Sequence, residues 1–203
     1  MPTLLIFAHE CAPYNRPKST IGAQRPAQFA KHLAAYGWRT IVVCCDNERR
    51  GLNNRKQTLG IVREETRLAL AETPGDESIV IPTPSLASDG PRDFLWRATF
   101  DGEKPLSNPM AATARRLLTE AKFTTGDWSQ NWQPCARAAA EIVAGKVKID
   151  MVLGEHGPDA GLFLARWFSD KFSVPWVADF RDPIAQGFSG VTRVLYARAA
   201  KRV

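Results

Sequence analysis

The chain has 203 residues, 44% of them hydrophobic and 24% charged, a balance that supports a sizeable core and excludes a disordered chain. No apolar run approaches the ~20 residues of a membrane helix, and the run 4–8 has neither the basic lead nor the length of a secretory signal, so a cytoplasmic protein is expected. Lys and Arg number 27 against 21 Asp and Glu, a net charge of +6 that favours acidic partners: phosphates, nucleic acid or an anionic membrane face.

Residues 3–8 form a short continuous apolar run, as a parallel strand buried on both faces would read, and a polar, Pro-bearing loop follows over 9–21. From about Arg25 to Tyr36 the apolar residues Phe29, Ala30, Leu33 and Tyr36 recur at helical spacing, with Pro26 suited to the first turn and Gly37 to the stop. The β-branched run within 39–45 completes a strand, helix, strand unit. Residues 46–56 read as an exposed polar loop, 60–72 as a helix, and 78–82 as a short strand ending at Pro82. The Pro- and Gly-rich stretch 84–109 reads as a long excursion, of the kind that carries a role in compact domains. Helical composition returns over 110–123 and 133–146.

The last third restores the alternation: a strand over 149–153, a turn-rich loop over 154–158, and a helix over 161–172 with i, i+4 apolar pairs. A strand over 174–180, a loop over 181–190 and a basic helix over 191–203 complete it. The fold expected is α/β: a Rossmann-like open, mostly parallel sheet with helices on both faces. Cys11, Cys44, Cys45 and Cys135 show no C-x-x-C spacing and are expected to be buried free thiols.

In such a sheet, ligands gather outside the carboxyl ends of the strands. Three loops leave strands there. The first holds Gly22 before a helix N-terminus, with Arg25 on the first turn, an arrangement able to hold a phosphate. It is neither G-x-G-x-x-G nor a P-loop, and a glycine needed only for the turn is the plainer alternative. The second holds Glu155 and His156, suited to acid-base work or to a hydroxylated ligand, or simply to a solvated loop tip. The third, Val177-Ala-Asp-Phe-Arg-Asp-Pro183, interrupts an apolar run with charge. Asp179 at the strand edge needs a partner, and Arg181 or a backbone N–H is the expected one.

Three segments share a pattern. Gly22-Ala-Gln-Arg-Pro-Ala-Gln-Phe-Ala-Lys-His-Leu-Ala-Ala-Tyr-Gly-Trp38 followed by a strand resembles the first βα unit of family 4 glycosyltransferases of the GT-B fold. Asp150-Met-Val-Leu-Gly-Glu-His-Gly-Pro158 resembles that family's D-V-I-x-x-x-x-P-P strand and loop, and Val174-Pro-Trp-Val-Ala-Asp-Phe-Arg-Asp-Pro183 its P-W-V-x-D-F-R-D-P-W segment. The resemblance is specific at the two ends of the chain, while residues 46–130 match in little beyond general character.

The resemblance implies the acceptor-side N-terminal domain (1–190) of a two-domain enzyme of polysaccharide biosynthesis, with 191–203 starting the connection to a donor domain. The donor motif E-x7-E does not occur after it, so the chain alone is expected to be inactive. The implied reaction is glycosyl transfer from a nucleotide-sugar to a glycan or lipid-linked acceptor, with retention and without a metal or other cofactor. Gly22 and Arg25 fall on the loop that nears the donor phosphates, though Ile21 stands where the family often has a second glycine. Arg181 and Asp182 fall on the R-D facing the transferred sugar, and are the catalytic candidates; Ile184 replaces the usual tryptophan. Substrate contacts are expected from Gly22, Arg25, Glu155, His156 and Asp179. The basic helix 191–203 could touch an anionic membrane, and no nucleic-acid partner is expected. Two alternatives stay open: a non-catalytic glycan- or membrane-binding subunit completed by a separate donor-binding chain, and a sugar-nucleotide epimerase of GT-B fold.

Overall fold

The computed structural model describes residues 1–14, 21–50, 54–86, 128–156 and 159–180. They form an α/β unit around a five-stranded, all-parallel sheet: β1 (Thr3–Ala8), β2 (Arg39–Arg50), β3 (Ile79–Ser85), β4 (Met151–Glu155) and β5 (Trp176–Asp179), ordered β3-β2-β1-β4-β5. Four helices accompany it: α1 (Ile21–Leu33), α2 (Arg55–Glu72), α3 (Gln133–Lys146) and α4 (Ala160–Phe172). The expected Rossmann-like sheet is what the chain builds. Strand order reverses between β1 and β4, the position where such sheets open a crevice.

Helices cover both faces, which is why β1 is apolar throughout rather than alternating. Leu5, Phe7, Ile41 and Val43 pack on one face against Val62 of α2, Ala139 and Val143 of α3, and Leu164 and Phe168 of α4. Leu4, Ile6, Val42 and Cys44 pack on the other against Ala27, Phe29, Ala30 and Leu33 of α1. Among the described residues no helix is long and apolar enough to cross a membrane.

The boundaries bring corrections. α1 starts by Ile21, so Gly22 lies inside the helix and Pro26 is its sixth residue rather than in the first turn. Proline there removes an i→i−4 bond and crowds the Gly22 carbonyl, and the neighbouring Ala23 carbonyl accepts the Ala12 N–H at 2.8 Å. The helix passes into a 3₁₀ turn over Ala34–Tyr36 and closes on Gly37, whose φ of 76° is the left-handed conformation glycine tolerates. Trp38 N–H bonds to Leu33 O and Gly37 N–H to Ala34 O, a Schellman closure.

β2 runs on to Arg50, through part of the segment that reads as a loop, and is paired with β3 across an irregularity between Asp46 and Arg50. α2 then begins at Arg55, five residues before the helix expected from Gly60. β3 continues past Pro82 to Ser85; as an edge strand it tolerates the missing N–H groups of Pro82 and Pro84. Gly154 and Glu155 belong to β4, not to the loop. The expected excursion over 84–109 beyond residue 86, the helix over 110–123, the loop over 181–190 and the basic helix over 191–203 lie outside the described residues.

All four cysteines are free and buried. Burial pushes the Cys45 thiol up to about 12 and Cys135 up to about 11, and a hydrogen bond with Cys11 together with burial holds Cys44 well above the usual thiol range. Cys44, Cys45 and Cys135 are therefore protonated at neutral pH, and all four serve as small packing groups.

Candidate functional site

The carboxyl ends of β1, β4 and β5, with the first turns of α1 and α4, gather two carboxylates and two imidazoles, among them the buried Glu155 and His9. Two glycines set this geometry. A Cβ on Gly161 would meet the backbone carbonyls of Glu155 and Phe7, the latter at 2.6 Å, and a Cβ on Gly154 would lie 2.6 Å from the Gly161 carbonyl and 2.8 Å from the Ala165 Cβ. Only glycine at both positions lets α4 seat its first turn on the tips of β1 and β4.

Register then fixes which side chains share a face. Phe7 pairs with Gly154 and Gly154 with Ala178, so one residue further on Ala8, Glu155 and Asp179 form a row, extended on the other side by the Ala8–Cys44 pair. That row lies on the face covered by α1, where Met151 and Leu153 of β4 also pack. Two carboxylates therefore sit on neighbouring strands beside a methyl group. Glu155 is buried at 2% exposure.

Asp179, the last residue of β5, takes its counter-ion from α1. Arg25 Nη2 donates to Asp179 Oδ1 at 2.6 Å across 154 positions of sequence. The expected partner, Arg181, lies outside the described residues; among the described residues the counter-charge is Arg25. Arg25 also lies 5.7 Å over the Phe29 ring, which holds its guanidinium on the α1 surface. Asp179 Oδ2 is buried and has no hydrogen-bond partner among the described residues, leaving an acceptor that a donor-bearing ligand can meet.

His156 continues the β4–β5 ladder, its N–H donating to the Asp179 carbonyl at 2.8 Å. Its Nε2 lies 3.1 Å from Asp159 Oδ1, and its ring stands 5.6 Å from that of Phe180. Asp159 opens α4, where a carboxylate suits the helix dipole. His156 is thus a positioned imidazole, not a solvated tip. Gly22 occupies the first turn of α1 at this same end of the sheet, tied to the β1 loop through the adjacent Ala23 carbonyl.

Behind the row, on the opposite face, His9 follows β1 at 1% exposure. Its ring meets Trp132 edge-on at 5.3 Å. Trp132 Nε1 donates to Thr83 Oγ1 at 2.7 Å, and Thr83 Oγ1 to the Cys44 carbonyl at 3.1 Å. Burial lowers the His9 pKa to about 3, so its imidazole is neutral at physiological pH. The sequence pattern did not reveal the roles of Trp132 and Asp159, or the pairing of Arg25 with Asp179. Only Asp159 had a local signal, an acidic residue just before a helix start.

Gly22, Arg25, Glu155, His156 and Asp179 are therefore brought to one end of the sheet; Arg181 and Asp182 lie outside the described residues. Among the described residues no group of three or more His, Cys, Asp or Glu could hold a metal ion. The chain matches no family model and no curated protein.

Proposed function

We propose that this chain is the acceptor-side domain of a GT-B glycosyltransferase, moving a sugar from a nucleotide-sugar to a glycan or lipid-linked acceptor. The observation that carries the reading is the Arg25–Asp179 pair at 2.6 Å with the second carboxylate oxygen left open, at the strand ends where order reverses. A carboxylate held by an arginine, with a buried glutamate and a positioned imidazole beside it, is a set of acceptors and donors suited to sugar hydroxyls. The motif resemblance at 22–38, 150–158 and 174–183 supports the same reading.

In this reading the rim forms one wall of the cleft and a second domain supplies the donor wall. Asp179 Oδ2 accepts a hydrogen bond from an acceptor hydroxyl, Arg25 orients Asp179, and His156 braced by Asp159 presents an imidazole edge to the acceptor. Gly22 and the α1 terminus approach the donor phosphates, and Arg181 and Asp182, by resemblance, face the transferred sugar. Departing diphosphate is stabilised by arginine and helix N-termini, without a metal. The segment 191–203 belongs to the interdomain connection and to contact with an anionic membrane.

Calorimetry and a transfer assay test the proposal. The chain alone should turn over no nucleotide-sugar and bind it only weakly; micromolar affinity contradicts the division of labour. In the enzyme joined to its donor domain, Asp179→Asn, Arg181→Ala or Asp182→Ala should each lower turnover tens-fold, about 2–4 kcal/mol. Unchanged kinetics in a folded variant removes that residue from the site.

A further inference from the structure

The amino ends of the strands, opposite the rim, enclose an open hollow of about 530 Å³ whose walls include Thr3, Arg39, Gly75, Lys146, Lys148 and Asp150. Its volume is that of a small-ligand site. The charges in it are unequally matched. Lys148 Nζ lies 2.8 Å from Asp150 Oδ1, and Asp150 Oδ2 accepts the Thr3 N–H at 2.9 Å, so the one carboxylate of the hollow is engaged on both oxygens.

Arg39 has no such partner. At the start of β2 it is only 7% exposed, and its guanidinium donates Nε–H to the Glu77 carbonyl at 3.0 Å, with no carboxylate in ion-pair range among the described residues. With Nε held by the Glu77 carbonyl, the two terminal nitrogens are not among the buried atoms that lack a partner, so they stay accessible, where a bidentate anion can meet them. Lys146, exposed in the last turn of α3, is the second cation without an acid.

We propose that this hollow binds a phosphoryl dianion, with Arg39 as the forked donor at its floor and Lys146 at its lip. Two uncompensated cations match a dianion better than a single carboxylate, and the planar fork of Arg39 fits phosphate oxygens in pairs. The site lies at the other end of the strands from the rim and does not depend on the glycosyl-transfer reading.

Amide and guanidinium NMR of the whole chain at constant ionic strength tests it, with inorganic phosphate, glycerol 3-phosphate and acetate as probes. Saturable shifts are expected at the Thr3 and Gly75 amides and at Arg39 Nε, with an apparent Kd of about 1 mM. Lys146→Glu, on an exposed side chain, should weaken binding about tenfold, and Arg39→Lys, which keeps the charge but loses the fork, should weaken it as well. Tighter binding of the ester assigns a phosphorylated metabolite, and equal or tighter binding of inorganic phosphate assigns the free ion; either supports the site. No saturation by about 20 mM, an equal response to acetate, shifts confined to the Glu155 and His156 amides, or affinity unchanged by Lys146→Glu overturns it.

Discussion

The two ends of the sheet are built differently. At the amino end, polar side chains stitch neighbouring strands at short range in space: Thr3 N–H to Asp150, Thr40 N–H and Oγ1 to Ser78 Oγ, and Arg39 Nε–H to the Glu77 carbonyl. At the carboxyl end, groups from β1, β4, β5, α1 and α4 meet, two acids share a row, an imidazole is buried neutral, and a carboxylate oxygen is left open. A fold selected for stability alone would not concentrate such groups where they are most costly. In the proposed reading, that contrast makes the carboxyl end the acceptor-binding end.

That contrast can be strained at several points. The largest effect should come from Phe168→Ala in α4, a fully buried ring lying 4.5 Å from Phe172 and 6.1 Å from Phe7 by ring centroids. Urea unfolding should show a loss of about 3–5 kcal/mol, with hydrogen-exchange protection falling at Gly154–His156 before Arg39–Val43. Equal loss at both ends would mean α4 does not selectively support the rim.

Next is pH. His9 binds its proton less readily folded than unfolded, so below about 6.5 the unfolded chain takes up a proton that the native chain refuses. Its contribution is therefore intact above pH 6.5 and lost progressively as pH falls toward about 3, the loss reaching about 3 kcal/mol by pH 4. The difference in stability between the wild type and His9→Gln should follow that course, and a pH-independent difference contradicts the buried neutral imidazole.

Gly161→Ala should cost about 1–3 kcal/mol by overpacking, because the added methyl meets backbone and not a yielding side chain. Amide shifts should spread over Glu155 and Phe7 and leave Thr40 unmoved. The smallest effect is at the other end: Ser78→Ala removes an acceptor from buried Thr40 and should cost about 1 kcal/mol, leaving the Asp179 and His156 resonances in place.

Much of the architecture was legible because a doubly covered parallel sheet writes itself as apolar runs. Leu4–Ala8 and Ile41–Cys45 read directly, and Gly37 announced the end of α1. Strand lengths were harder. Asp46 and Arg49 look like loop residues, yet β2 continues there beside edge strand β3, with Arg49 paired to Glu65 of α2 at 2.5 Å. Pro82 and Pro84 mimic a strand end because composition does not reveal which strand is at an edge. In the site, strand-end placement exposed Glu155, His156 and Asp179 as candidates. Their partners were hidden, since Arg25 reaches Asp179 from 154 residues away, just as Trp132, the N-cap of α3, meets His9 from a distant part of the chain. Local patterning carries periodicity, and ion pairs across a fold have none.

The most direct measurement is an amide-resolved titration of the chain with a panel of neutral oligosaccharides. The account predicts saturable shifts clustered at Glu155, His156, Asp179 and the first turn of α1, abolished by Asp179→Asn. Shifts elsewhere on the molecule, or a response that survives that substitution unchanged, would contradict the assignment of the strand tips as the acceptor wall.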